Sequence, residues 1–441
     1  MSMLSRASVA GLALVNVFFL VRILSKQDFG IWVLYLSITA VVEMMKQGFV
    51  KNPFITTWIR AGENDKREVL GSSIVLNFTL TLVLSAVVCA VSKPLSVIWA
   101  APGIETLFYL YAFHNFLLIP LFYFENLQTI QFKFNGILIA TIVRNGMLTA
   151  FIVHSFYIDA ALSLVHLAVV QMAATAMAAI VSYFSASNLL RQKPRISRTM
   201  FLQMFHLGKF TFGTNISSMV IKSTDSWMLG KLASPAAVAI YNPAIRLSNI
   251  FEVPTMSVAS VVFPKMAMQM KQNGKHGVKN MYEKSVSLML ALIIPIVVPF
   301  FIFSEQIITS VFGPDYSESI PILEITILYS LIVPFNRQFG TVLDALQKPR
   351  LNFYLLLCTA LLNIVLNYVF FLSFGIIGCA IGTLVSFSII FIVNQVILFR
   401  SFSVSVPRIL LSVGEWYLAF GKLVWRKASA LVTTSFRTQR H

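Results

Sequence analysis

Charge is scarce in this sequence of 441 residues: 12% are Asp, Glu, Lys or Arg, and the acidic residues number 17 against 34 basic ones. With 57% hydrophobic residues and a mean hydropathy of +0.79, a soluble domain is excluded, because its surface would carry too much apolar area. Cysteine is scarcer still. Cys89, Cys358 and Cys379 fall in apolar runs without metal-ligand spacing, so neither a disulfide scaffold nor a zinc site is expected and packing is their role. The chain also lacks a Gly-rich nucleotide loop ending in Gly-Lys-Ser/Thr and a His-Glu-x-x-His pair, and its six histidines are scattered. ATP-driven pumping therefore has no motif to carry it, no cofactor is expected, and no catalytic constellation stands out.

What is present is a series of apolar runs near membrane-spanning length. They predict an all-α polytopic membrane protein of about twelve helices. These lie near residues 3–24, 29–47, 70–92, 104–124, 135–157, 160–187, 205–230, 236–262, 285–304, 319–344, 351–373 and 376–399. The first is read as an uncleaved helix, since no small-residue cleavage site follows it and Arg22 interrupts its end. The net charge of +17 would suggest nucleic acid for a soluble protein, but here it follows from the loops, and no nucleic-acid partner is expected. Twenty-five of the 34 Lys and Arg residues fall on one side, among them Arg191, Lys193, Arg195 and Arg198 in a single connection. That bias predicts cytoplasmic termini.

A few charges lie where a bilayer rejects them. From Met219 to Val253 two apolar segments carry Lys222, Asp225, Arg246 and Glu252, and each charge at mid-membrane costs roughly 2.5–3.5 kcal/mol. Lys222 with Asp225, and Glu43 with Lys46, are three apart on one helical face and are expected to pair. Arg246 has no local partner at helical spacing and is read as facing a water-filled cavity that binds anions. Arg337 and Asp344, seven apart, share a face and are expected to line that cavity together.

The chain also repeats. Leu24 to Trp32 aligns without gaps on Ala233 to Tyr241, each the tight connection between the first two helices of a half. Residues 1–200 and 201–400 are accordingly read as two six-helix lobes running in the same direction, around a central cavity near the midplane. Residues 401–441 form a cytoplasmic tail. In it Ile409, Val413, Trp416, Tyr417, Phe420 and Val424 make an apolar stripe opposite Arg408, Ser412, Glu415, Lys422 and Arg426, the pattern of a helix lying on an anionic leaflet. Lys271, Lys275 and Lys279 recur every four residues, but Gly274 and Gly277 argue against a helix there.

Four stretches carry a resemblance. RILSKQDFGIWVLYLSITAVVE, FENLQTIQFKFNGILIATIVRN, TDSWMLGKLASPAAVAIYNPAIRL and ALQKPRLNFYLLLCTALLNIVLNYVFFLSFGIIGCAIGTLVS, in that order, resemble the polysaccharide and O-antigen flippases of the multidrug/oligosaccharidyl-lipid/polysaccharide exporter superfamily. The connection before Phe29 departs from the pattern, reading Ser-Lys-Gln-Asp where the family usually has Gly-Pro. The resemblance, over roughly residues 1 to 400, implies a flippase of the bacterial inner membrane. It would move a glycan on a polyprenyl pyrophosphate to the outer leaflet by alternating access, without enzymatic chemistry. Polysaccharide assembly proteins would be its partners.

Arginine suits a pyrophosphate because its planar fork makes bidentate contacts at any physiological pH. Arg22, Arg144, Lys222, Arg246 and Arg337 are therefore the candidate headgroup ligands. Glu43, Asp225, Glu252, Glu324 and Asp344 could orient them or take up a coupling ion, H+ or Na+; the bland reading of each charge is a snorkelling or helix-paired residue. Prolines gather in the second half, from Pro235 to Pro334, and predict bent helices there. Two other functions are weighed: a cation-coupled multidrug exporter of the same superfamily, and a membrane glycan polymerase. The polymerase is disfavoured by outer connections of about 15 residues or fewer, too short for the catalytic loop it needs.

Overall fold

The computed structural model describes residues 3–62, 65–159, 161–186 and 194–438. Arg191 and Lys193 of the basic connection lie outside them. Among the described residues the chain is helical throughout and has no strand. Nine helices among the described residues are long and apolar enough to cross a membrane, making this a multi-pass membrane protein; α9 alone takes up two of the twelve expected spans.

The N-terminal part reads α1 (Met3–Ile23), α2 (Lys26–Lys46), α3 (Asn52–Arg60), α4 (Lys66–Ile98), α5 (Ile104–Ile130), α6 (Phe134–Tyr157) and α7 (Leu164–Ala186). Ser25 caps α2 by accepting from the Asp28 amide at 3.0 Å. The second span does not stop at residue 47 as expected. A wide π turn over Gln47–Lys51 carries it into α3, and Pro53 sits in the first turn of α3, where its missing N–H is an orphan in any case. Lys51 and Arg60 are thus helical residues rather than loop charges.

Beyond α8 (Arg198–Leu232) comes α9 (Pro235–Ile302), which bends sharply at Gly274, with φ 56° and ψ −141°. The expectation that the glycines prevent a helix here is corrected. Helix runs up to Gly274 and resumes after it, and the glycine supplies the one backbone conformation that an L side chain rarely adopts. The remaining helices are α10 (Ser304–Phe312), α11 (Ser319–Ser330), α12 (Val333–Ala345), α13 (Pro349–Phe374), α14 (Ile376–Phe402) and α15 (Val406–Thr438).

The chain divides into two compact units. The first comprises Met1–Ile250, Glu305–Ile325 and Arg350–Thr383. In it α5 packs on α4 and α7, α6 on α1 and α7, and α8 on α2 and α4. The two connections matched in sequence meet here: a Cβ on Gly30 would run into the Pro235 backbone, so only glycine permits the approach. The second unit comprises Phe251–Ser304, Thr326–Pro349 and Leu384–His441. One stretch of α9 pins its other helices. Tyr282 donates to the Phe335 carbonyl at 3.2 Å and accepts from Gln395 at 2.9 Å, Gln338 donates to Ser285 at 2.6 Å, and Trp416 of α15 donates to Ser287 at 3.0 Å. Part of the tail stripe expected on lipid is therefore occupied within the protein. Ile409 and Val413 are buried, while Leu410, Leu411 and Leu418 are exposed apolar residues. The side chains of Val424 and Arg426 lie outside the described residues.

Candidate functional site

The first unit holds two buried polar clusters. In one, α2 and α6 bring Glu43, Lys46 and Arg144 together beside Asn115 of α5. Glu43 grips Arg144 with both carboxylate oxygens, at 2.7 and 3.4 Å, and each side chain keeps 20% of its surface exposed. The expected Glu43–Lys46 pair does not form. Lys46, 1% exposed, donates to the carbonyl and side-chain oxygens of Asn115 at 3.1 and 2.9 Å. A carboxylate takes the planar guanidinium fork in preference to a point charge, which accounts for the exchange of partners. Asn115 in turn donates to Ser85 of α4 at 3.0 Å, and the neighbouring His114 ring is bonded to Thr175 of α7 at 2.8 Å.

The second cluster surrounds Asp225 of α8. Tyr241 donates to one of its oxygens at 2.5 Å, and Asn367 and Thr383 donate to the other at 2.5 and 3.1 Å. Asn363 donates to the Thr383 hydroxyl at 3.0 Å. The expected Lys222–Asp225 pair is replaced by these neutral donors, and Lys222 is exposed. Side chains from α9, α13 and α14 thus converge on one buried carboxylate of α8. Sequence reasoning missed Tyr241, Asn363, Asn367 and Thr383; the signal was there in polar residues inside apolar runs, such as Asn363 and Asn367 one turn apart.

The other sequence-predicted residues are dispersed. Half-buried Arg246 reaches the Asn242 side-chain oxygen at 3.4 Å and has no carboxylate partner among the described residues. Arg22 lies exposed over the Phe18 ring, with its guanidinium on the carbonyls of Phe18, Ser310 and Val311 at 2.6–3.2 Å. There it caps the C-terminal end of α10, where a cation opposes the helix dipole. In the second unit Arg337 stands 3.8 Å from Glu252, both part-exposed. Asp344, expected to share its cavity face, is exposed, and Glu324 is half-buried. Among the described residues no three His, Cys, Asp or Glu side chains gather as metal ligands would.

Among the described residues this all-helical arrangement has counterparts in solved structures. It is similar to the solved structure of the lipid II flippase MurJ in an inward closed conformation and to that of an inward-facing multidrug resistance MATE family transporter. The first has a TM-score of 0.76 at 15% identity, covering 97% of this chain and 93% of that one. The second has a TM-score of 0.75 at 13% identity, covering 91% and 99%. Residues 19–321 match the family model described as polysaccharide biosynthesis protein, and the chain belongs to that family. One curated relative, the probable low-salt glycan biosynthesis flippase Agl15 of Haloferax volcanii, is 26% identical over 186 residues, 42% of this chain. That alignment spans only 39% of the relative's length.

Proposed function

We propose that this protein moves a glycan carried on a polyprenyl pyrophosphate from the inner to the outer leaflet of a bacterial cytoplasmic membrane, by alternating access and without a covalent step. Membership of the polysaccharide biosynthesis family supports this reading, as does the name of the Haloferax volcanii relative. The observation that carries it is Arg246, a half-buried guanidinium in a membrane helix with an amide oxygen as its sole partner among the described residues. A charge so placed is costly unless an anion comes to meet it. Arg144 offers a second fork in the same unit, and Arg337 is the candidate cation of the other unit.

In this reading Asp225 takes up the coupling cation, H+ or Na+, since the hydroxyl and amide groups around it can orient their oxygens toward a cation. Membrane potential adds to the drive: two negative charges moving outward across 100 mV, inside negative, gain roughly 4.6 kcal/mol. The test is surface glycan in cells carrying Arg246→Ala or Arg337→Ala at unchanged protein level. Loss of glycan is expected, and wild-type output in both would overturn the proposal. Drug efflux restored by the chain in a sensitive strain would favour a multidrug exporter instead.

A further inference from the structure

Glu43 and Lys46 share a face of α2 at the spacing where carboxylate and ammonium ordinarily pair, yet each has taken another partner. Glu43 holds Arg144 of α6, and Lys46 is drawn off to two neutral oxygens of Asn115 on α5. The cluster thus holds two cations around Glu43, with a second carboxylate, Glu125 of α5, acting on Arg144 from further off, and the second cation is sealed inside the bundle at 1% exposure. Arg144, with 20% of its side chain exposed, is the cation with an open side.

On the function proposed above, on which this inference rests, the Arg144 fork turns to a phosphate. That movement strands Glu43, and a carboxylate left alone inside a bilayer is strongly unfavourable. A second cation within reach of Glu43 removes the difficulty. We propose that Lys46 is the reserve counter-ion of Glu43: as Arg144 leaves for the phosphate of an anionic lipid carrier, the Lys46 ammonium leaves Asn115 and takes its place. Asn115 is its resting position, held ready by Ser85, and its neutral oxygens compete weakly with a carboxylate for an ammonium. Lys46 is thus a positioning residue. It never touches the carrier, and His114 beside Asn115 is engaged separately by Thr175.

The test uses the purified full chain in nanodiscs, with farnesyl pyrophosphate as the probe and calorimetry as the measurement. Lys46→Gln keeps an amide able to bond Asn115 and so guards against misfolding; it should weaken binding about tenfold, since Arg144 can no longer leave Glu43 cheaply. Glu43→Gln should tighten binding, because it removes the competitor for Arg144. The double variant, Glu43→Gln with Lys46→Gln, should regain at least wild-type affinity, a rescue that a merely structural lysine would not show. Wild-type affinity in Lys46→Gln, or a double variant as weak as the single one, overturns the inference while leaving the flippase reading intact. A wild-type protein that does not bind the probe overturns both.

Discussion

Asp225 illustrates how much one residue's surroundings decide. Inside a membrane helix it is held by neutral groups: three side chains from three other helices donate hydrogen bonds to its two carboxylate oxygens. Neutral donors stabilise a charge without cancelling it, which leaves the group able to accept a proton or a small cation. Replacing it with Asn removes that capacity at nearly constant volume. Asp225→Asn should therefore fold and insert normally but export glycan slowly, and its export rate should no longer respond to external Na+ or pH. Initial export rates measured against both gradients check this, and an unchanged ion dependence would refute the assignment. Arg22 makes the opposite case: fixed on backbone carbonyls at the end of α10, it is committed to a helix terminus.

Among the elements, α15 is tied down at its start rather than merely resting on lipid. Glu283 of α9, 5% exposed, accepts from the Ser405 amide at 3.0 Å just before α15 begins, and stands 3.9 Å from Arg408 in its first turn. An acidic group at a helix N-terminus favours both the free N–H groups and the dipole. Glu283→Ala should loosen the tail, with amide exchange in residues 405–415 faster by an order of magnitude or more, for a loss of about 1–2 kcal/mol. Hydrogen exchange by mass spectrometry measures it, and unchanged protection would show that Trp416 and the buried Ile409 and Val413 suffice. The apolar stripe of α15 was visible at helical spacing in the sequence. Which surface it covers was not, because period alone cannot distinguish lipid from a neighbouring helix.

For the molecule as a whole, the charge bias of the loops makes a prediction about sidedness. In a background without Cys89, Cys358 and Cys379, Arg60→Cys and Lys275→Cys should react with an impermeant maleimide only after the cells are permeabilised. Asp315→Cys should react in intact cells, since all three positions are exposed. Equal labelling of positions 275 and 315 would overturn the orientation. Hydropathy and loop charge by themselves determined that this chain is a helical membrane protein, roughly where its helices run and which charges are out of place in them. Both properties are sums over local residues, so no partner need be known. Tertiary structure alone decided who holds those charges. The local guesses, Glu43 with Lys46 and Lys222 with Asp225, gave way to partners far along the chain: Arg144 lies 101 residues from Glu43, and Asn367 and Thr383 lie 142 and 158 from Asp225. A buried charge binds whatever group packing brings to it with the best geometry, and helix spacing says nothing about what the next helix will offer.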